Sequence, residues 1–439
     1  MKKVVKFGGS SLASAEQFKK VKEIITADPD RCYVVPSAPG KRFSNDTKVT
    51  DMLYGCYDLA KNGKKFAKPL EEIKDRYDEI IKGLGLKLSL DDEFAKIAEN
   101  FKAGLGEDYA ASRGEYLNSI IMAEYLGFDW IDAADVILFY DDGEFDSEHT
   151  NKKLSKVLAS HDKAVIPGFY GAYADGKVKT FSRGGSDITG SIVARAAKAS
   201  VYENWTDVSG FLIADPRIIK DPEGIETITY RELRELSYMG ASVLHEDAIF
   251  PVRREGIPIN IRNTNAPSDE GTWIVESTCQ KSKYTITGIA GKKGFCSVNV
   301  DKAKMNSEIG FGRKVLQAFE DNGISFEHMP SGIDTMTVFV HQDEFVDKEQ
   351  KVVSEIHRLA APDVIEIEAD LALIAVVGRG MKSTRGTAGR IFSALAHANV
   401  NVKMIDQGSS ELNIIIGVEN QDFETAIKAI YDIFVTAQL

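Results

Sequence analysis

Two short stretches of the 439-residue chain carry side chains whose types and spacing suit the handling of anions. The first is Lys6-Phe7-Gly8-Gly9-Ser10-Ser11, in which a lysine interrupts the apolar residues Val4, Val5 and Phe7 and two glycines follow. A lysine in such a strand is costly to bury without a partner, and Gly8 and Gly9 let a phosphate approach the backbone. The second is Ser182-Arg183-Gly184-Gly185-Ser186-Asp187, directly ahead of the helical spacing of Ile188, Ile192, Val193, Ala196 and Ala197. A glycine turn feeding a helix start can hold an anion, because free N–H groups and the helix dipole point at the charge. A short apolar-aromatic run, Val201 to Trp205, follows and ends in Thr206 and Asp207. Open α/β sheets collect ligands at such carboxyl ends of strands. Taken singly, Arg183 and Gly184 fit a surface turn, Asp187 a helix cap, and Thr206 with Asp207 the start of a loop.

The elements that must position these residues alternate. After the first strand, Ala15 to Thr26 has helical spacing in Phe18, Val21 and Ile25, and Arg31 to Ser37 reads as a second strand. That is a β-α-β unit, which favours parallel pairing with a right-handed crossover. A polar segment from Ser37 to Asp51 leads to a helix beginning near Thr50, and residues 68 to 126 are mostly helical. In that region Ile73, Tyr77, Ile80 and Ile81 share one face and Ile97, Phe101 and Leu105 another. Strands are expected at Val136–Phe139, Ala164–Pro167 and Val178–Thr180, with a helix over Asn151–Ser160, which makes the first part of the chain an α/β sandwich. Helices through Leu233, Leu236 and Met239 and from His245, then a strand over Ile257–Ile261, complete it; His245 reads as structural.

Beyond a polar linker near Asn263–Thr272 the sequence repeats itself. Residues 312–340 and 388–418 superpose with Gly332 on Gly408, an offset of 76, so that Leu316 meets Phe392, Phe319 meets Leu395 and Phe326 meets Val402. This is a duplicated α+β unit of strand, helix, strand, strand, helix, with a further strand supplied within the copy or by the other one.

Composition limits the classes of function. A chain of this length with 43% hydrophobic residues can bury more than one core. Its net charge of −12 argues against nucleic-acid and anionic-membrane partners. Cys32, Cys56, Cys279 and Cys296 are scattered without a C-x-x-C spacing and read as reduced thiols of a cytoplasmic protein, so the glycosylation-like matches at Asn45 and Asn204 are chance. No apolar run reaches a membrane span and no signal peptide is expected.

KFGGSS (6–11), VTDML (49–53), SRGEYL (112–117), SRGGSD (182–187), WTDVSGFLIADPR (205–217) and MGASVLHEDAI (239–249), in that order and with the terminal repeats, resemble the aspartate kinases of the amino-acid-kinase superfamily across essentially the whole chain. The resemblance implies an αβα sandwich with a mainly parallel sheet over residues 1–280, then two ferredoxin-like ACT units over 281–370 and 371–439, interleaved with one another. It implies transfer of a phosphoryl group from ATP, with Mg²⁺, to L-aspartate, under feedback by an end-product amino acid. Lys6 and Asp187 are then the catalytic pair. Ser37, Thr50, Glu115, Arg183, Gly184 and Ser186 face aspartate, while Lys6, Gly8, Gly9, Ser10, Thr206, Asp207 and Arg217 surround the nucleotide. By pattern alone Glu115 is an exposed helix residue; the RGE match places it near the substrate's ammonium group.

No metal ligand is expected from the protein, Mg²⁺ being held by phosphate oxygens and water. The effector loops carry Met305, Glu308, Gly310, Phe311, Glu327, Ser331 and Asp334, and their acidic groups favour lysine over threonine. A homodimer or larger homo-oligomer built through the repeats is expected. Some relatives carry a nucleotide-side lysine where this chain reads Ile261-Arg262-Asn263-Thr264-Asn265. The alternatives are a glutamate or acetylglutamate kinase and a catalytically silent amino-acid sensor.

Overall fold

The computed structural model describes residues 1–182, 184–241, 244, 246–279 and 282–437. The chain forms two compact units, one comprising Met1–Phe211, Gly224–Arg231 and Val243–Thr278, the other Leu212–Glu223, Glu232–Ser242 and Cys279–Leu439.

In the first unit β1 (Lys3–Phe7), α1 (Ala15–Thr26) and β2 (Arg31–Pro36) form the expected parallel β-α-β unit. Phe18, Val21, Ile24 and Ile25 of α1 are buried at helical spacing, and Ser14 caps the helix. A helical layer follows: α2 (Val49–Lys61), α3 (Ala67–Leu84), α4 (Asp91–Ala103) and α5 (Glu107–Leu126). The last three each stop at a glycine in the left-handed region, Gly85, Gly104 and Gly127, the only residue type that adopts it without a Cβ penalty. Leu105 therefore lies beyond α4 and is exposed, where the spacing predicts a buried face. Ile73, Tyr77, Ile80, Ile81, Ile97 and Phe101 join Val5, Phe7, Val34 and Trp205 in one core.

The remaining elements of this part are β3 (Asp129–Trp130), α6 (Ala133–Val136), α7 (Ser147–Leu158), β4 (Ala164–Val165), β5 (Tyr170–Ala172), β6 (Val178–Thr180), α8 (Gly185–Ala197), β7 (Val201–Thr206), β8 (Thr227–Thr229), α9 (Tyr230–Tyr238, its residues from Glu232 on belonging to the second unit), α10 (Phe250–Arg253), β9 (Ile259–Asn263) and β10 (Thr272–Val275). Eight strands form one sheet in the order β3-β4-β2-β1-β7-β9-β10-β8, parallel at every pairing except β9 with β10. The strand expected at Val136–Phe139 is instead the end of α6 followed by single bridges from Leu138 to Ala172 and from Phe139 to Phe145. Asp132 caps that short helix, and the apolar run Val136–Phe139 that overlaps its end reads as a strand. β6 lies outside the main sheet, in a hairpin with β5.

The second unit holds β11 (Gly288–Asp301), α11 (Phe311–Glu320), β12 (Phe326–His328), β13 (Thr335–His341), α12 (Gln342–Phe345), α13 (Glu349–Ala360), β14 (Val364–Val377), α14 (Thr387–His397), β15 (Met404–Asp406), β16 (Asn413–Glu419) and α15 (Phe423–Tyr431). They build one antiparallel sheet, ordered β12-β13-β11-β14-β16-β15. β11 and β14 are double-length strands. The second half of β11 pairs with β13 and with the first half of β14, while its first half pairs with the second half of β14, which also pairs with β16. Register shifts on either side of Phe295, next to Gly294 at φ 91°, separate the halves. Each repeat is thus a ferredoxin-like unit, and the fourth strand of the second is the beginning of the first: the two are interleaved.

The repeat alignment holds for the helices, α14 starting 76 residues after α11, but β15 starts 78 residues after β12. Phe326 therefore corresponds to the buried Met404 rather than to Val402, and is itself exposed. Phe319 and Leu395 are both buried, as their shared period predicts, whereas Leu316 and Phe392 are half-buried. No described helix is long and apolar enough to cross a membrane.

Candidate active site

Strand pairing sets the centre of the site. β1 lies parallel to β7 with Lys6 opposite Asn204 and Phe7 opposite Trp205. Alternation along a strand sends Lys6, Tyr202 and Asn204 to one side, toward α8, and Phe7 and Trp205 to the other, where their rings stack. Lys6 is buried, and its Nζ lies 2.6 Å from Asp187 Oδ1, answering the charge that its strand position leaves to be neutralised. The Asn204 amide donates to the same Asp187 oxygen at 2.8 Å, and its own oxygen accepts from Lys6 at 3.4 Å. Tyr202 fixes the backbone of this turn, its hydroxyl donating to the Asp187 carbonyl at 3.0 Å. α8 comes this close because residue 190 is glycine: a Cβ there would stand 2.5 Å from the Tyr202 hydroxyl oxygen.

Beside this cluster is a cavity of about 570 Å³. Lys6, Gly8, Gly9 and Ser10 line one side, Ser37, Thr50 and Glu115 another, and Thr206 and Asp207 the strand end. Nine of the residues singled out from sequence are therefore brought together. The loop after β2 closes on the glycine turn, the Gly40 N–H donating to Gly9 O at 2.8 Å, and a Cβ on Gly40 would meet the Gly9 carbonyl carbon at 2.6 Å. Arg76, buried on α3, holds that loop by donating to Gly40 O at 2.7 Å and Thr47 O at 2.6 Å. Asn118 donates to Ser37 O. Lys41 and Lys48 of the same loop also line the cavity, cations that the sequence shows only as part of a polar stretch.

Glu115 is buried on α5, correcting its pattern-based reading as an exposed residue, and its Oε2 has no partner. Burial pushes its carboxyl up to about 8, against the lowering influence of backbone N–H groups and of the Lys6 and Arg113 charges. A buried carboxyl with an unused oxygen on a cavity wall suits a cationic ligand group.

The other expected residues stand elsewhere. Gly184 caps α8 in the left-handed region and Ser186 is buried in its first turn; neither lines the cavity, and Asp187 reaches it only through Lys6. Arg183, like His245, lies outside the described residues. Arg217 is exposed and closed onto Asp215 at 2.6 Å, in the segment Leu212–Glu223 of the second unit. Arg262, in the stretch where some relatives carry a nucleotide-side lysine, donates to Pro267 O and Asp269 O and lies over the Trp205 ring.

Asn204 and Phe169 escaped the sequence reading as well. Asn204 carries no signal beyond being polar in an apolar strand. Phe169 adopts φ 82°, a strained conformation for an aromatic residue, held by its N–H to Thr189 Oγ1 and its carbonyl from Phe181.

In the second unit Met305 and Phe311 are core residues, which corrects their reading as loop side chains open to an effector. Glu308 is neutralised by Lys302 and Lys314 at 2.6 and 2.7 Å, so it is not a free acidic group. Gly310 caps α11; Glu327 accepts from the Tyr238 hydroxyl and contacts His341; Asp334 accepts from the Lys304 N–H; Ser331 lines a polar cleft with Thr335 and Thr337.

Residues 1–263 match the amino acid kinase family and residues 374–434 the ACT domain. Aspartokinase 3 of Bacillus subtilis is 40% identical over 447 residues, covering 98% of both chains. The chain belongs to the aspartate kinases of the amino acid kinase family. The crystal structure of the Clostridium acetobutylicum aspartate kinase, 53% identical, matches 99% of this chain and 100% of that one with a TM-score of 0.90. Escherichia coli aspartokinase III shares the fold at 23% identity, with TM-scores of 0.74 in complex with aspartate and ADP and 0.71 in complex with lysine and aspartate. As an aspartate kinase the chain is a phosphotransferase whose acceptor is a carboxyl group.

Proposed function

We propose that this aspartate kinase joins the side-chain carboxylate of L-aspartate to the γ-phosphoryl group of ATP through the cavity bounded by Lys6, Thr50, Glu115 and Asp207. The convergence of those residues with the Gly8–Gly9 turn on one cavity carries the reading. An aspartate carboxylate, with an ordinary pKa of about 3.9, is ionised at neutral pH and needs no general base. The work is to bring two anions into line and neutralise their charge. One aspartate oxygen forms the new bond to phosphorus as the bond from phosphorus to the β–γ bridging oxygen breaks, and ADP leaves.

In this scheme Lys6 turns from Asp187 to the transferring group, and the Gly8, Gly9 and Ser10 backbone holds phosphate oxygens. Glu115 takes the substrate ammonium, Arg183 its α-carboxylate, and Ser37 and Thr50 complete the aspartate side. Thr206 and Asp207 serve the nucleotide. A magnesium ion would be held there mainly by phosphate oxygens and water. Bound there, magnesium supplies charge neutralisation on the phosphates.

The division into a kinase part over 1–280 and ACT units over 281–370 and 371–439 belongs to the same proposal, as do a cytoplasmic location, a homodimer and feedback by lysine. The lysine reading is supported by the E. coli enzyme's complex with lysine. An ADP-release assay with aspartate, glutamate and acetylglutamate tests the activity. Turnover with aspartate alone is expected; turnover with either of the others, or none at all, overturns it. Lysine and threonine titrated separately and together at sub-saturating aspartate test the effector, inhibition by threonine alone counting against lysine.

A further inference from the structure

We infer that Asn204 is a positioning residue of the phosphoryl-transfer site, holding the Asp187 carboxylate in place when Lys6 leaves it for the transferring group. The inference rests on the reading of Lys6 and Asp187 as the charge-handling pair. Asn204 is 3% exposed and sits in an interior strand, β7, flanked by β1 and β9. Asparagine is depleted in strands, and a buried amide is unfavourable unless hydrogen-bonded. An aliphatic side chain of similar size would suit that position better, so the polar group there needs a partner to account for it.

The partners are the two charged groups of the site. Asp187 Oδ1 receives both the Lys6 ammonium at 2.6 Å and the Asn204 amide at 2.8 Å. When the ammonium swings toward a phosphoryl oxygen, the amide remains as a donor, and a largely buried carboxylate is not left bare. The Asn204 oxygen, 3.4 Å from Lys6 Nζ, offers the lysine a second, neutral partner near its resting place. The Tyr202 hydroxyl on the Asp187 carbonyl holds the backbone but cannot hold the carboxylate, so the side-chain task falls to Asn204.

The test is a double-mutant cycle in the full-length protein, with kcat and KM for both substrates. Asn204→Leu is expected to lower kcat by about tenfold or more while the KM for aspartate changes by less than about threefold, the pattern of a contact that matters mainly in the transition state. In an Asp187→Asn background the same change is expected to cost less than about twofold, because residues that act through one another are not additive. Equal losses in the two backgrounds, or a single variant with unaltered kcat, overturn the inference. Asn204→Ser, too short to bridge, carries the same expectations if the leucine variant does not fold. Full activity of Asp187→Asn alone would instead remove the catalytic pair itself, an outcome separate from failure at Asn204.

Discussion

Glu115 combines burial, an unused oxygen and a carboxyl raised to about 8, so near pH 7 the free protein holds it mostly protonated. Binding an ammonium group beside it favours the ionised form, so aspartate binding should expel a proton. Calorimetric titrations in buffers of different ionisation enthalpy should show proton release at pH 7, absent in Glu115→Gln. The same shift makes a stability prediction. Because the folded state keeps its proton above the ordinary value of 4.5, it binds more protons than the unfolded chain between about 4.5 and 8, and stability falls as pH rises through that window. Glu115→Gln, which resembles the protonated form, should therefore gain in Tm relative to the parent between pH 5 and pH 9; a constant difference would mean that Glu115 is already ionised. At Lys6, replacement by Ala should lower kcat by at least about a hundredfold with the fold intact, the scale for deleting one preorganised charge-stabilising group. Lys6→Arg should fail too, since a planar fork does not replace a compact ammonium in a tight space. Near-normal kcat in either variant would remove Lys6 from the mechanism.

The loop after β2 and the glycine turn after β1 are two elements whose contact shapes the cavity. Gly40 and Gly9 meet backbone to backbone, and Arg76 pins the loop from behind through two carbonyls. In Gly40→Ala the new methyl would press on Gly9 C, Gly9 O and Ser10 N, all within 2.8 Å, and backbone cannot yield as a flexible side chain can. Parting the loop from the phosphate turn should raise the KM for ATP by about tenfold, for an overpacking cost of about 1–3 kcal/mol. Gly55→Ala on α2 is the matched control. Its methyl meets nothing within 4 Å, so helix propensity alone should stabilise the protein by up to about 1 kcal/mol, with kinetics unchanged. An unaltered KM for ATP in Gly40→Ala would show that the loop does not support the nucleotide.

At the scale of the whole molecule, the second unit includes chain that precedes the repeats. The Ile289 N–H donates to Ile213 O at 2.7 Å, the Glu223 N–H donates to the Tyr431 hydroxyl, and the fully buried Glu232 accepts from Thr287, from the Arg379 N–H and from its guanidinium. Deleting residues from Tyr284 onward would strip partners from Leu212–Glu223 and leave the Glu232 carboxylate without its arginine. Breaking a buried pair from one side costs about 3–5 kcal/mol. The truncated chain should melt at lower temperature and lose turnover; a soluble fragment with full kcat would mean that those segments hold their shape alone. The repeats also expose Ile309 and Ile333, and among the described residues the first half of β14 pairs on one side only, an open edge of the kind that association covers. Sedimentation of the full chain should give at least a dimer, and a monomer would count against assembly through the repeats.

Much of this was legible in the sequence because burial leaves a local record. The 3.6-residue period marked α1 and the helices up to Leu126, the glycine turns marked the end of β1 and the start of α8, and self-similarity marked a duplicated α+β unit, leaving open which copy supplies the last strand. Nine residues of the cavity were named beforehand, Ser37, Thr50 and Glu115 only through the resemblance to the aspartate kinases. What depended on the fold was the pairing of distant residues and the environment that pairing creates. Asn204 is 198 residues from Lys6, and only the parallel register of β1 with β7 makes them neighbours. The burial of Glu115 is set by its surroundings, since a polar residue on a helix does not announce which face will be covered. The two-residue drift between the repeats, the helical turn at Ala133–Val136 and the membership of Leu212–Glu223 in the second unit were likewise decided by long-range packing. Local periodicity records that a residue is buried; which partner buries it is a property of the whole chain.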